Sequence, residues 1–382
     1  MRVVIATVGS GGDLFPLVPI ANELTSRDHE VKWLVPRSLG LYARALGHDV
    51  CSLGDGSEMR VLHDQRLLTT SFDGWRSWRM TMDDYVLPTL AGDVPVAQTI
   101  IRRWRPDVVV TSGFACAART AATIENVPFV ELSIYPQHQM LGPGSRMAPR
   151  VSSVISSLAG SDDQSLVLRL CWGTPADVLL HDPLLVHQSV PSVGFSSWDE
   201  VPGSSARHGE LLGWAASGVG PRVLCTLGSF VGMSTPRWER IMVGLSSPRW
   251  RAVVVGPHPS LPRTSGSDVL SVRSFVALSA LLSHFDVVVH HGGLGTTIAA
   301  LRAGLPAAVL PHAFDQSHNA RLLERAGVGR CCSETTLRST IEDLLDDPAA
   351  RGRARHLGDR HIPSSLAASA AADSIERVGC RR

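Results

Sequence analysis

The sequence contains almost no lysine. Lys32 is the single lysine among 36 basic residues in a chain of 382 residues. A P-loop needs a lysine directly before its Ser or Thr to reach the phosphates, so the chain has no P-loop. The 35 acidic residues bring the formal net charge to +1, which gives no reason to expect nucleic acid or another polyanion as a partner.

Cysteine motifs and long apolar runs are missing as well. The seven cysteines form no C-x-x-C, and Cys331 and Cys332 are adjacent, so we expect buried free thiols in a reducing compartment. No apolar stretch is long enough to span a bilayer, and the run at residues 3–8 is too short for the core of a signal peptide. The sequence therefore predicts a cytoplasmic protein without a transmembrane segment.

What is present is an alternation of strand and helix, repeated twice. In the first half, strands are predicted at residues 2–8, 30–35, 49–53, 107–110 and 129–134, and helices at 14–27, 39–46 and 115–125. In the second half, strands are predicted at 222–227, 251–255, 269–272, 287–290 and 306–310, and helices at 236–245, 278–284, 297–303, 316–326 and 364–378. In a chain long enough for two domains, this pattern predicts an α/β fold with two doubly wound sheets.

The most informative segment joins one of these strands to the following helix. It reads His290-His291-Gly292-Gly293-Leu294-Gly295-Thr296-Thr297. Its glycines let a phosphate approach the backbone, and the N-terminus of the helix favours the phosphate charge. Two hydroxyls and the imidazole of His291 add donors, so the segment is predicted to hold a diphosphate.

Two other interpretations of glycine-rich turns apply here. A dinucleotide fingerprint needs a third glycine three positions after the second, where this chain has Ile298 in one cluster and Leu14 in the other. Neither cluster therefore fits a nicotinamide cofactor. A plain strand-to-helix turn is the remaining alternative, and the downstream segment Pro311-His312-Ala313-Phe314-Asp315-Gln316 makes it less favoured.

At this point the chain resembles a known family. Residues 274–329 look like the donor-nucleotide signature of family-1 inverting glycosyltransferases of the GT-B fold. The loop Gly9-Ser10-Gly11-Gly12-Asp13-Leu14-Phe15-Pro16 is similar to the N-terminal loop of their bacterial members, which act in antibiotic and glycolipid synthesis. The resemblance implies two Rossmann-like domains that face a central cleft.

The domain limits follow from the resemblance and from composition. We expect an N-terminal acceptor-binding domain at residues 1–203, a linker at 204–221 where Pro, Gly and Ser cluster, and a C-terminal donor-nucleotide-binding domain at 222–362. The resemblance implies that a helix in residues 363–382 returns to the N-terminal domain.

Asp13 is the predicted catalytic base. In the bacterial pattern an Asp in this loop takes the proton of the acceptor hydroxyl, a contribution worth ~10²–10⁴ in rate. The alternative is structural, because an Asp shortly before a first-turn proline is a common helix cap. The two roles are compatible with each other.

The resemblance assigns the departing diphosphate to neutral donors. These are Ser10, Ser229, His291, Gly293, Gly295, Thr296 and Thr297. Ser229 fits an ordinary loop serine equally well. The chain has no Asp-X-Asp, which a metal-dependent transferase would use to hold a divalent cation, so neither a metal nor a cofactor is expected.

The rest of the donor is assigned by the same signature. Asp315 and Gln316 are predicted to hydrogen-bond hydroxyls of the donor sugar, with helix capping as the alternative; Asn319 belongs to the signature without an assigned role. Phe275 and Val276 are predicted to hold the base. The family's Pro-Gln is replaced by Ala-Leu after Val276, which leaves uridine and thymidine diphosphate open, with a weak preference for the latter.

The acceptor side gives weaker signals. Trp75, Trp78 and His138 are candidate acceptor contacts, because aromatic rings in this region suit a flat or apolar aglycone. The alternative is that the tryptophans belong to a helix core and that His138 is simply exposed.

These residues together predict an inverting transfer of a hexose or deoxyhexose from a dTDP- or UDP-sugar to a hydroxyl of a small natural-product acceptor. Three alternatives stay open: a glycolipid-forming enzyme similar to rhamnosyltransferases, an NDP-sugar epimerase of GT-B architecture, and a non-catalytic sugar-nucleotide-binding partner subunit. The sequence does not decide whether the chain forms a homodimer or needs an auxiliary protein.

Overall fold

Two parallel six-stranded sheets form the framework of the molecule. The computed structural model describes residues 1–53, 74–133, 148–160, 166–171, 193–198, 205–228, 234–259, 268–273 and 275–380. Numbered within each sheet, the strands follow the order 3-2-1-4-5-6 in both. The prediction of two doubly wound sheets is therefore confirmed.

The first sheet and the helices around it come from the N-terminal half. Its strands are β1 (Arg2–Ala6), β2 (Glu30–Pro36), β3 (Asp49–Leu53), β4 (Val108–Ser112), β5 (Phe129–Ser133) and β6 (Leu166–Cys171). Its helices are α1 (Gly11–Leu14), α2 (Val18–Ser26), α3 (Arg37–Ala45), α4 (Gly74–Thr81), α5 (Leu90–Trp104), α6 (Cys116–Ile124) and α7 (Ala148–Ala159). The central strands read as continuous apolar runs because helices bury both of their faces.

The second sheet and its helices follow in the same way. Its strands are β7 (Arg222–Thr226), β8 (Arg251–Val255), β9 (Val269–Val272), β10 (Val287–His290), β11 (Ala307–Val309) and β12 (Gly329–Cys331). The helices are α8 (Ser205–Ala216), α9 (Thr235–Leu245), α10 (Leu278–Leu281), α11 (Leu294–Arg302), α12 (Gln316–Arg325), α13 (Leu337–Leu345), α14 (Pro348–Asp359) and α15 (Ser364–Gly379).

Two helices begin or break differently from the prediction. The helix predicted at residues 14–27 is divided into α1, a 3-10 turn at Phe15–Leu17 and α2, because Pro16 and Pro19 supply no backbone N–H for a continuous helix. Helix α11 begins at Leu294, three residues earlier than predicted, with Gly293 in an extended conformation as its N-cap.

The predicted linker at residues 204–221 needs a correction. Most of it forms helix α8, and Leu211 of that helix is fully buried in the core of the second sheet. Apolar burial of this kind overrides a composition rich in Gly and Ser. The segment therefore packs as part of the second domain, and only the residues after Ala216 form an irregular connection to β7.

Helix α15 packs on the first sheet, far from the strand that precedes it in sequence. Ile375 belongs to the same buried cluster as residues of β1 and α2. Arg27, at the end of α2, donates to Asp373 at 2.6 Å and to Glu376 at 3.0 Å, and Nε2 of His29 lies 2.8 Å from Glu376. An apolar face and a set of ion pairs thus attach α15 to the N-terminal domain.

A membrane span is not found among the helices of the described ranges: none combines the length and the apolar character that crossing a bilayer requires.

Candidate active site

A cleft between the two sheets collects the loops that follow the strand ends. In a doubly wound sheet, the loops after the first and fourth strands diverge and leave a crevice. Here the crevice of the first sheet, at β1 and β4, faces that of the second, at β7 and β10. The cleft has a volume of about 450 Å³ and is lined by residues of both domains, among them Asp13, Phe114, Gly228 and His291.

His291 lies in a slot between two glycines. A Cβ added to Gly228 would come within 2.6 Å of Cε1 of His291, and a Cβ on Gly293 would collide with Nε2. Burial lowers the pKa of His291 to about 4, so the ring is neutral at neutral pH. Nδ1 is buried and has no partner in the described part of the chain. Because a buried N–H without an acceptor is rarer than a buried acceptor without a donor, we place the proton on Nε2.

The first turn of α11 forms the wall of the cleft beside His291. Its N-terminal backbone N–H groups have no partner within the helix. A Cβ on Gly295 would meet nothing within 4 Å, which leaves room for a ligand. Gly293, Gly295 and Thr296, which the sequence assigns to the diphosphate, line the cleft.

Thr297 does not reach the cleft. It is 1% exposed, and its hydroxyl donates to the carbonyl oxygen of Gly293 at 2.9 Å. Because α11 begins at Leu294, Thr297 is one turn inside the helix, where Thr commonly bonds back to the preceding turn. Its predicted contact with the diphosphate is therefore replaced by a contact within the helix.

Asp13 closes the N-terminus of α1 and also lines the cleft. Its Oδ2 accepts the backbone N–H of Ser10 at 2.8 Å and the hydroxyl of Ser10 at 3.2 Å. A Cβ on Gly9 would collide with this carboxylate, and Gly9 has a φ of +132°. The alternative expected from sequence was that Asp13 itself caps the helix. In the structure Ser10 is the N-cap, and Asp13 completes a capping box with it.

The same capping box gives Ser10 a role other than the predicted contact with the diphosphate. Both of its donors, the backbone N–H and the hydroxyl, are directed at Asp13, while Oγ accepts the N–H of Gly12 at 3.1 Å. Ser10 lines the cleft, but in this arrangement it holds the carboxylate of Asp13 and has no hydrogen left for a diphosphate.

Asp315 and Gln316 begin α12 on the second-domain wall of the cleft. Asp315 stands at the N-cap position, yet its side chain makes no cap hydrogen bond; instead Oδ2 accepts from Nδ2 of Asn319 at 2.8 Å. Burial raises the pKa of Asp315 to about 7; the Asn319 hydrogen bond opposes this rise, and the nearby charge of Asp13 adds to it.

The amide of Gln316 is oriented by its own loop. Oε1 accepts the backbone N–H of His312 at 2.7 Å and that of Ala313 at 3.0 Å. Only an oxygen can accept these bonds, so Nε2 is left as the donor that Gln316 offers to a ligand. Asp315 and Gln316 together present an acidic group and an N–H donor.

The residues predicted to hold the base lie at the other end of the cleft. Phe275 and Val276 both line it. The ring of Phe275 meets the ring of Phe15 from the first domain at 5.3 Å between centroids. The two domains therefore touch at the position expected for the nucleoside.

The tryptophan predicted on the acceptor side is part of the core. Trp78 is 1% exposed and packs against Phe114 at 5.0 Å and Phe314 at 4.9 Å between ring centroids. It supports the wall from behind, while Phe114 and Phe314 form its surface. His138, Ser229 and the side chain of Trp75 lie outside the described residues.

Sequence reasoning gave no role to three residues in or beside the site. Phe114 follows β4, so its position after a strand end was a usable signal. Phe314 stands inside the recognised segment, where it adopts a φ of +57°, a left-handed value that is uncommon outside glycine. Asn319 was left without a role because its partners become neighbours only in the folded chain.

Two known family domains match the chain, one in each half. Residues 3–130 match the N-terminal domain of glycosyltransferase family 28. Residues 261–375 match the C-terminal domain of proteins like erythromycin biosynthesis protein CIII. The first match covers strands β1 to β4 and the start of β5, and the second covers strands β9 to β12.

Individual relatives span nearly the whole chain. Elloramycin glycosyltransferase ElmGT of Streptomyces olivaceus is 28% identical, covering 95% of this chain and 94% of its own. L-demethylnoviosyl transferase of Streptomyces niveus is 24% identical, covering 98% of both chains. The structure of spinosyn rhamnosyltransferase SpnG in complex with thymidine diphosphate superposes with a TM-score of 0.77 at 22% identity, over 98% of this chain and 100% of that one.

Proposed function

We propose that this chain, a GT-B glycosyltransferase of the family-1-like type, transfers a hexose or deoxyhexose from a dTDP- or UDP-sugar to a hydroxyl of a small natural product. The observation that carries the proposal is the position of Asp13 and of the His291 slot on opposite walls of one cleft. A proton acceptor facing a leaving-group site suits a single in-line displacement with inversion. The names of the relatives refer to elloramycin, a demethylnoviosyl group and spinosyn, which supports a natural-product acceptor.

The proposed reaction forms and breaks one bond at the anomeric carbon. The acceptor oxygen attacks that carbon while the carboxylate of Asp13 takes the hydroxyl proton, a contribution of ~10²–10⁴ in rate. The bond to the diphosphate breaks on the opposite side. Ser10 holds Asp13 in place through two hydrogen bonds, so the carboxylate is oriented before the acceptor arrives.

Neutral donors are proposed to stabilise the departing diphosphate without a divalent cation. The backbone N–H groups at the start of α11 face the leaving group together with the helix dipole. Nε2–H of the neutral His291 adds a donor from the glycine slot. Such preorganised donors act most strongly where charge develops during the reaction.

Thymidine diphosphate is the proposed nucleotide part of the donor. The Gln that meets the ribose hydroxyls in many members is replaced here by Leu278, and a deoxyribose has no 2′-hydroxyl for it to bind. The structure of SpnG was solved with thymidine diphosphate, which supports the same choice.

Nucleotide binding and turnover test this proposal in two steps. We expect dTDP, and more weakly UDP, to raise the melting temperature without magnesium, while GDP and ADP do not; saturation at 100 times Kd corresponds to about 2.7 kcal/mol. Asp13→Asn keeps an oxygen to accept the Ser10 N–H, so it should bind dTDP as the wild type does. Its transfer to a panel of phenolic and macrolactone acceptors should fall ~10²–10⁴-fold.

Two results would contradict the proposal. Absence of any nucleotide-induced shift in the wild type removes the diphosphate site. Full turnover by Asp13→Asn, at unchanged dTDP affinity, removes Asp13 from the proton transfer while leaving the donor site intact.

A further inference from the structure

The backbone of Gly292 is held through both its N–H and its carbonyl oxygen. Its N–H donates to Nδ1 of His290 at 3.0 Å, and its carbonyl oxygen accepts from Nδ2 of Asn319 at 2.8 Å. Gly292 has a φ of +91°, and a Cβ there would lie 2.8 Å from the carbonyl oxygen of Gln316. The start of the phosphate loop is therefore fixed against the start of α12.

Asn319 uses its second amide hydrogen on the other half of the donor site. Nδ2 donates to Oδ2 of Asp315 at 2.8 Å, and the Asn319 side chain is buried. An amide nitrogen carries two hydrogens, so both are used. One buried NH₂ group thus connects the loop that leads into the His291 slot with the carboxylate that faces the donor sugar.

We propose that Asn319 is a positioning residue that holds the phosphate loop and Asp315 in one geometry and so couples recognition of the diphosphate to recognition of the donor sugar. This inference rests on the proposed function, because it assigns the two connected groups to two parts of one nucleotide sugar. Asn319 itself does not line the cleft; it acts through Gly292 and Asp315.

The coupling has a consequence for the pH dependence of binding. The pKa of Asp315 is about 7, raised by burial, lowered by the Asn319 hydrogen bond and raised by Asp13 on the opposite wall; His291 on the same wall is neutral in this range. An ionised Asp315 repels an incoming diphosphate, so affinity should fall as the pH rises through about 7. Removal of the Asn319 donor raises the pKa further, and the fall then begins at a higher pH.

The test measures the affinity of two nucleotide sugars as a function of pH. Calorimetry with dTDP-glucose and UDP-glucose is suitable, because a diphosphate esterified at both ends does not titrate in the neutral range. The variants are Asn319→Leu, which has a similar volume and no donor, and Asn319→Ser, which has one donor in place of two. Leu322→Ala, on the buried apolar face of α12, is the matched control for general loss of packing.

For Asn319→Leu we expect Kd to rise at least about tenfold at low pH and the midpoint of the pH dependence to move up by about one unit. Asn319→Ser should lie between Leu and the wild type. Leu322→Ala should melt at a lower temperature and keep the wild-type midpoint.

Unchanged Kd and midpoint in both Asn319 variants overturn the proposal, as does a lower melting temperature with a wild-type midpoint. If Asn319→Leu does not fold, Asn319→Ser decides by the same two quantities. A wild-type protein that binds neither sugar nucleotide contradicts the proposed function instead, so the two failures are separable.

Discussion

Single glycines determine the shape of the proposed diphosphate site. Gly228 and Gly293 enclose the ring of His291, and Gly295 leaves open space at the start of α11. A side chain at the first two positions would displace the imidazole, whereas one at Gly295 would meet only a ligand. The His291 ring thus requires glycine on both sides of the slot, whereas glycine at Gly295 leaves the space that we propose for the donor.

This difference predicts opposite results for two alanine substitutions. Gly293→Ala should lower the stability by about 1–3 kcal/mol, because the added methyl group forces His291 out of its slot. Gly295→Ala should leave stability unchanged or raise it by about 0.5–1 kcal/mol, because alanine favours the helix. Both should weaken dTDP binding. Chemical denaturation measures the stability of each variant, and calorimetry measures its affinity for dTDP. Equal destabilisation by both variants would contradict the prediction, because only the methyl group at position 293 is expected to displace His291.

The sequence specifies some residues of the site and not others, for physical reasons. His291, Gly293 and Gly295 are recognisable because their chemistry is local to one turn. The sequence does not reveal that Thr297 lies one turn inside α11 and away from the cleft. The start of that helix depends on the extended conformation of Gly293, which composition does not indicate. Asn319 acts on Gly292, 27 positions away, and no local pattern encodes such a contact.

Secondary-structure elements also divide into those that the sequence predicts and those that it does not. The central strands were predicted well because burial on both faces selects continuous β-branched runs. Strand β12, Gly329–Cys331, has an exposed arginine at its centre and no apolar run, so the sequence does not reveal it. Helix α8 was taken for a linker because packing against the second sheet, rather than its Gly and Ser content, makes it helical.

The attachment of α15 gives a prediction for one element. Arg27 pairs with Glu23, Asp373 and Glu376, so Arg27→Met removes the guanidinium from two carboxylates of α15, while His29 still contacts Glu376. We expect a loss of about 1–3 kcal/mol and faster proteolysis after α14. Arg102→Met is the control, because Arg102 pairs with Glu125 at a side-chain exposure of 65%, where solvent screens the ion pair. Equal protease resistance of wild type and Arg27→Met would show that apolar packing alone holds α15.

At the scale of the whole molecule, the two domains share part of one core. Ile298 lies on α11 of the second domain, yet it is fully buried in the cluster built around β1, α2 and α15. Arg302 of the same helix donates to Ser197 and to the carbonyl of Ile362. Helix α11, whose N-terminus we propose to hold the diphosphate, is therefore packed against both domains.

Substitution of Ile298 should uncouple the domains. Ile298→Ala removes a buried side chain at the shared core and should cost about 2–5 kcal/mol, and we expect calorimetry to show two separated transitions where the wild type shows one. Leu301→Ala, equally buried but in the core of the second sheet, should cost a similar amount without separating the transitions. A single transition in Ile298→Ala would mean that the remaining contacts keep the domains cooperative.

The position of α15 also constrains how the chain is built in the cell. A ribosome releases the strands of the first sheet early, but the helix that covers α2 and β4 emerges only after the entire second domain. During synthesis the apolar surface that α15 covers therefore stays exposed on the first domain until about the last twenty residues have been made. Nascent chains stalled before residue 364 should consequently recruit chaperones at this surface, even though the residues that line the cleft have already been made.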